Sequence, residues 1–281
     1  MKTVLYFEWI RKKEDMIQRT IRLIAMILGL FLSCILIDIV FPDFNSNYMK
    51  WPDMLKNLLG IGNWNSHLFL NVWQLVALGY PFYFTYSIMI GIATAITEED
   101  RLETIVYLHN AGVGRRDILI GKTCVWMGYA LVQTLVMLVI TTLFALVLGT
   151  PQAAVHMVEY HVELGLLGIL YMSIASFLAA CSTGGEVSLD TIIAILVLPC
   201  IVSRIPAIMR FFAELLTVTG RQGAIVDRVA LWGEKLQVLV IVSPVSWPWI
   251  GISIRGIYVG CAFIVAVIMA SAAYSIYCHR E

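Results

Sequence analysis

The sequence predicts an all-α integral membrane protein: six transmembrane helices, an N-terminal cytoplasmic amphipathic helix, and outer re-entrant helices between spans five and six. Three observations carry that prediction. Of 281 residues, 60% are hydrophobic and only 14% charged, with a mean hydropathy of +0.84, whereas soluble domains are about half apolar and a quarter charged. Runs of the roughly 20 apolar residues that a helix needs to cross hydrocarbon recur along the chain, at 22 to 41, 69 to 97, 123 to 148, 164 to 182, 190 to 212 and 254 to 278. The connections between these runs alternate in their content of Lys and Arg. A soluble sphere of this length could not hide so much apolar surface. Lys+Arg and Asp+Glu are both 19, so there is no basic excess to neutralise phosphates and no nucleic-acid partner is expected.

At the N-terminus, Leu5/Tyr6, Trp9/Ile10 and Met16/Ile17 recur at helical spacing around the run Arg11-Lys12-Lys13-Glu14-Asp15. This pattern describes a helix lying on the cytoplasmic membrane surface over 1–21, before the chain turns into span one. A solvated charge run drawn to anionic lipid fits the same residues. Span one follows a polar stretch and ends in Asp38 and Pro42 without a small-residue cleavage site, so it reads as a span and not as a signal peptide.

Orientation follows from the basic residues. Lys2, Arg11, Lys12, Lys13, Arg19 and Arg22 precede span one, and Arg101, Arg115, Arg116 and Lys122 lie between spans two and three; both segments are expected in the cytoplasm, which places both termini there. The first outer loop has only Lys50 and Lys56, with Trp51 and Trp64 as interface aromatics, and the outer loop 149 to 163 has no Lys or Arg. The last outer connection carries Arg210, Arg221, Arg228 and Lys235, but long loops translocate largely regardless of charge.

Span five contains Pro199 and Pro206, and Arg204 falls only about 21 Å from Asp190 at ~1.5 Å per residue, short of the ~30 Å core. A broken helix is expected, its outer half folded back or lining a cavity. The region 205–253 then reads as short outer-leaflet helices anchored by Trp247 and Trp249. All six Cys (34, 124, 181, 200, 261, 278) lie within or at the ends of apolar runs and read as small hydrophobes.

The most informative stretch is 98–122, EEDRLETIVYLHNAGVGRRDILIGK. Its first half is acidic and helix-favouring, with Leu102, Ile105 and Leu108 or His109 on one stripe; Gly112 and Gly114 then break the helix, and Arg115-Arg116-Asp117 opens the next. A short amphipathic helix with a glycine elbow, joining two spans, can carry motion from a partner that grips it. An ordinary positive-inside connector has the same composition. The run from Thr104 to Lys122 resembles the signature of ABC-2 type transporter permeases, an acidic stretch followed by roughly G-T-L-E-x-L-L-x-x-P-V-S-R-R-x-I-L-x-G-K. Thr104, Leu108, Val113, Arg115, Arg116, Ile118, Leu119, Gly121 and Lys122 match, while Glu103, Val106, Gly112 and Gly114 replace the family's Gly, Glu, Pro and Ser.

The resemblance implies one transmembrane domain over 1–281. It makes 98–114 the coupling helix against a separate ABC ATPase subunit, with Glu98, Glu99, Asp100, Arg101, Glu103, Thr104, Leu108, Arg115 and Arg116 as coupling residues. It further implies a second permease copy or paralogue, and ATP and Mg on the partner with no cofactor on this chain. The end of a P-loop at Gly121-Lys122-Thr123 is a decoy, because the required first Gly would stand where Arg116 is. No GxGxxG, HExxH, CxxC or GxSxG occurs, so a transporter subunit and not an enzyme is expected.

Weaker signals complete the reading. His156, Glu159, His161 and Glu163 suggest a metal site only faintly beside an exposed polar loop. Tyr80, Tyr83, Phe84 and Tyr86, with a hinge at Pro81, could line a path for an amphiphile together with Arg204, or form an interface belt. Arg204 could equally pair with Asp38 or snorkel. Gly165, Gly168, Ala175 and Ala179 in span four, and Gly256, Gly260, Ala272 and Ala273 in span six, indicate close helix packing. The function expected is ATP-driven export of an amphipathic peptide, lipid-like molecule or drug across the plasma membrane. A non-ATP-driven carrier, intramembrane enzyme or scaffold is the competing class.

Overall fold

A computed structural model describes residues 2–41, 68–102, 105–148, 151–182, 187, 189–219, 224–236 and 252–279. Every regular element among them is a helix: α1 Lys2–Val40, α2 Leu68–Arg101, α3 Ile105–Asn110, α4 Arg115–Leu148, α5 Pro151–Cys181, α6 Leu189–Val218, α7 Ala224–Lys235 and α8 Ile252–Cys278. Five stretches are long and apolar enough to cross a membrane among the described residues: Thr3–Ile37, Arg115–Leu148, Pro151–Cys181, Leu189–Thr217 and Val259–Cys278. The predicted second span, 69 to 97, falls inside α2. Trp51, Trp64, Trp247 and Trp249 lie outside the described residues, as does the side chain of Asp38.

The bundle is organised around α5, which packs against α2, α4 and α8, while α1 leans on α4 and α2, and α6 on α2 and α7. Of the spanning windows, that of α5 is the most enclosed at 56% buried and that of α8 the least at 11%. Small residues let the central helices close up. A Cβ on Gly168 would stand 3.1 Å from Phe84 Cε1 and 3.4 Å from Ile88 Cδ1, and Ala175 and Ala179 are fully buried, as expected of small residues in span four. In span six only part of the expectation holds. Ala273 is buried, but Gly256 and Gly260 face open space within this chain.

Four boundaries differ from the sequence reading. Residues 1–21 and span one are not separated by a turn, because α1 runs unbroken from Lys2 to Val40. The chain has no Gly or Pro from Lys2 to Leu28, and a sharp bend needs such a cause. The segment 149 to 163, expected as a loop, is helical from Pro151 onward, with Pro151 at the first helical position, where its missing N–H costs nothing.

Span five is not broken, since α6 passes through Pro199 and Pro206 as one helix. Seven residues apart, the prolines fall about 20° short of two full turns and share a face, and α7 covers the second of them. A Cβ on Gly233 would lie 3.3 Å from the Pro206 carbonyl oxygen and 3.0 Å from Arg210 Cγ. Finally, 98–114 is not one helix. Glu98 to Arg101 are the last turn of α2, and only Ile105–Asn110 forms a separate short helix.

Candidate functional site

The end of the bundle that carries the 98–122 connection is held by charge. Glu98, in the last turn of α2, accepts from Arg11 at 3.1 Å and from Lys12 at 3.0 Å, both on α1. Arg11 also reaches Glu8 at 2.6 Å, and Glu8 is 1% exposed. A buried carboxylate persists only when it is paired, so these four residues form one unit. About two turns further along α1, Arg19 pairs with Asp15 at 2.8 Å, donates to Ser87 Oγ of α2 at 3.2 Å, and lies 5.9 Å from the Trp126 ring of α4. Lys122 of α4, 2% exposed, donates to the Ala95 carbonyl of α2. The first half of α1 thus clamps the ends of α2 and α4.

The elbow projects beyond this clamp. Gly112 has φ +78°, its N–H donates to the His109 carbonyl at 2.9 Å, and the Val113 N–H donates to the Leu108 carbonyl at 2.9 Å. These two bonds are a Schellman cap, which needs a residue in the left-handed region and therefore favours glycine. The Gly114 carbonyl then accepts from the amides of Asp117 (3.0 Å) and Ile118 (3.2 Å) to begin α4. Asp117 in the first turn complements the helix dipole. Arg115 lies 5.7 Å from the Tyr277 ring of α8, while Arg116 is exposed.

No residue of α3 is buried; Tyr107 is 75% exposed, Val106 58% and Leu102 52%. Three large apolar groups, Leu102, Val106 and Tyr107, are therefore exposed on the connection, beside the half-buried Ile105 and Leu108.

The coupling residues read from the sequence separate into groups. Glu98 points into the clamp, Leu108 is half-buried, and Arg115 and Arg116 open α4. Glu99, Asp100 and Arg101 belong to the last turn of α2, with side chains outside the described residues; Glu103 and Thr104 lie outside them altogether. Sequence reasoning gave no site role to Glu8 or Tyr107 and used Arg19 only to set the orientation. The available signal was the sign of the charges: the basic run 11–13 is the complement of the acidic run 98–100.

The residues read as a substrate path are split. Tyr80 and Phe84 are buried against α5, Tyr80 with ring centroids 6.2 Å from Tyr160 and 5.9 Å from His161, and Phe84 over Gly168. Tyr83 and Tyr86 are half-buried on other faces of α2, and Arg204 is half-buried on α6. His161, Glu159 and His156 prove to be helical. His161 is buried between Trp73, Tyr80 and Tyr160, and His156 faces outward 3.4 Å from Glu159. No group of metal-ligating residues occurs among the described residues.

Long apolar helices packed around α5, with a capped polar elbow between two of them, define the chain as a multi-span membrane protein. A family model described as ABC-2 family transporter protein matches residues 17–197, more than half of the chain, and the chain belongs to that family. No curated protein and no solved structure matches it. The family's members are the membrane component of a transporter and are not themselves catalytic.

Proposed function

We propose that this chain is the membrane-spanning subunit of an ATP-driven exporter, with six spans, both termini in the cytoplasm, and an amphipathic substrate such as a peptide, lipid-like molecule or drug. The observation that carries the reading is the elbow. Leu102, Val106 and Tyr107 offer an apolar surface on a six-residue helix, and the connection that bears it is tied through Glu98 and Lys122 to three long helices. An ABC ATPase subunit gripping that surface would move α1, α2 and α4 as one body. ATP and Mg belong to that subunit, and this chain supplies the lever and the pathway. A coupling of this kind needs a partner whose two states differ in affinity for the elbow by a few kcal/mol.

A second copy or paralogue completes the pathway in this reading. The open glycine face of α8, around Gly256 and Gly260, supports a partner helix there. The experiment is co-expression with the ABC ATPase encoded nearest to it. The wild-type chain co-purifies with that subunit and stimulates its hydrolysis. Tyr107→Asp lowers co-purification at least tenfold, and replacing Arg115 and Arg116 with Glu uncouples hydrolysis from transport. Unchanged co-purification and stimulation in both variants would overturn the reading.

A further inference from the structure

A groove of about 700 Å³ runs between α1 and the first half of α4. Its walls include Tyr6, Trp9, Ile17, Thr20 and Ile21 of α1 and Gly128, Tyr129 and Val132 of α4. From Leu5 to Ile21 the α1 wall is about 24 Å long at ~1.5 Å per residue. One leaflet, half of a bilayer ~40–45 Å thick with its headgroups, measures about 21 Å, so the groove has the length of one phospholipid. Tyr6 and Trp9 are exposed, aromatic types that settle at the headgroup level.

Charge names the headgroup. Lys13 is not itself a wall residue, but it follows Trp9 by four residues and precedes Ile17 by four, so helical spacing sets it along the α1 stripe between those two wall residues. Its neighbours in the basic run are spoken for: Arg11 and Lys12 by Glu98, and Arg19 by Asp15. Lys13 forms no ion pair among the described residues. Glu14 and Asp15 fall off the stripe by one and two helical steps, so no carboxylate of that run competes for the ammonium.

We propose that this groove binds an anionic phospholipid of the leaflet at the clamp end of the bundle. An acyl chain lies along Ile17, Ile21 and Val132, and the phosphate meets Lys13. The lipid holds α1 against α4 beside the clamp, whether or not the chain transports anything.

Native mass spectrometry of the purified full-length chain with equimolar phosphatidylglycerol and phosphatidylcholine tests this. Wild type retains phosphatidylglycerol over phosphatidylcholine by about fivefold, the scale of one lysine at an anionic headgroup. Lys13→Gln brings the ratio near one while still binding lipid, and Lys13→Arg keeps the preference. Gly128→Phe, at a position whose Cβ direction is open for 4 Å, plugs the groove and loses both lipids; Val132→Trp, on the same wall, repeats that arm should the first variant fold poorly. Equal retention of the two lipids by wild type would overturn the proposal. So would an undiminished preference in Lys13→Gln, or retained lipid in the plugged variants. A plugged variant that loses dimer but keeps lipid would assign the groove to a second copy instead.

Discussion

Replacing Glu98 with Gln keeps the shape of the α2 terminus and removes its charge, taking the Glu98 carboxylate from both Lys12 and Arg11 while Arg11 keeps its pair with Glu8. The three side chains are 15%, 25% and 20% exposed, between the fully exposed pairs worth about 0–1 kcal/mol and the buried ones whose disruption costs about 3–5 kcal/mol. A destabilisation of about 2 kcal/mol is expected, of the order lost with a hydrogen bond to a charged group. The cost should divide unequally between the partners. Arg11 retains Glu8 at 2.6 Å, so most of the coupling to Glu98 belongs to Lys12. Unfolding of wild type, Glu98→Gln, Lys12→Gln and the double variant, in one detergent and at one scan rate, closes a cycle with a coupling of about 1 kcal/mol. The corresponding Arg11 cycle gives less. Glu98→Gln within roughly 0.3 kcal/mol of wild type, the additivity error of such cycles, would refute the idea that the clamp binds α1 to the elbow.

Further outcomes follow from the glycines of the elbow and the bundle. Gly112→Ala forces a Cβ into the left-handed region at φ +78° and should cost about 1 kcal/mol, while Gly114→Ala, with open space around its Cβ and no positive φ, costs less; comparable unfolding midpoints for the two would contradict the capping role of Gly112. Gly91→Ala drives a methyl into the Trp126 ring, itself 1% exposed, and should destabilise by about 1–3 kcal/mol through overpacking. Combining it with Trp126→Leu relieves the clash, and a double variant no better than Gly91→Ala alone would count against that contact. Gly168→Ala meets Phe84 only at 3.1 Å and should be milder than Gly91→Ala in the same assay.

What the sequence conveyed, and what it withheld, has a common physical origin. The elbow was legible because glycine is the residue that a left-handed cap demands, and Gly112 adopts that conformation. Five of the spans were legible, as long apolar helices, because lipid imposes both length and composition. The start of α5 was hidden because His156, Glu159, His161 and Glu163 interrupt the hydropathy while keeping helical spacing, and one of them, His161, is packed among aromatic rings inside the bundle. Two prolines suggested a break in α6, but in lipid a helix can continue through proline, and α6 does, with Gly233 of α7 packed beside Pro206. Pairings across the chain, Glu98 with Arg11 and Lys12 above all, connect residues more than 80 positions apart, and a helical pattern read locally shows which charges share a face but not which helix answers them. The small glycines of α8 illustrate the same limit, since Gly256 and Gly260 meet no other group of the described chain where their Cβ would stand.

The central claim is that the connection between α2 and α4 is the surface through which a separate ATPase moves this chain. Cysteine crosslinking in membranes tests it most directly, with Tyr107→Cys on α3 and Val147→Cys at the opposite end of α4, both strongly exposed, each co-expressed with the ABC ATPase subunit carrying single cysteines on its surface. The account predicts a crosslink from position 107 whose yield changes with ATP, and none from position 147. An ATPase that crosslinks to position 147, or fails at 107 while still co-purifying, would contradict it.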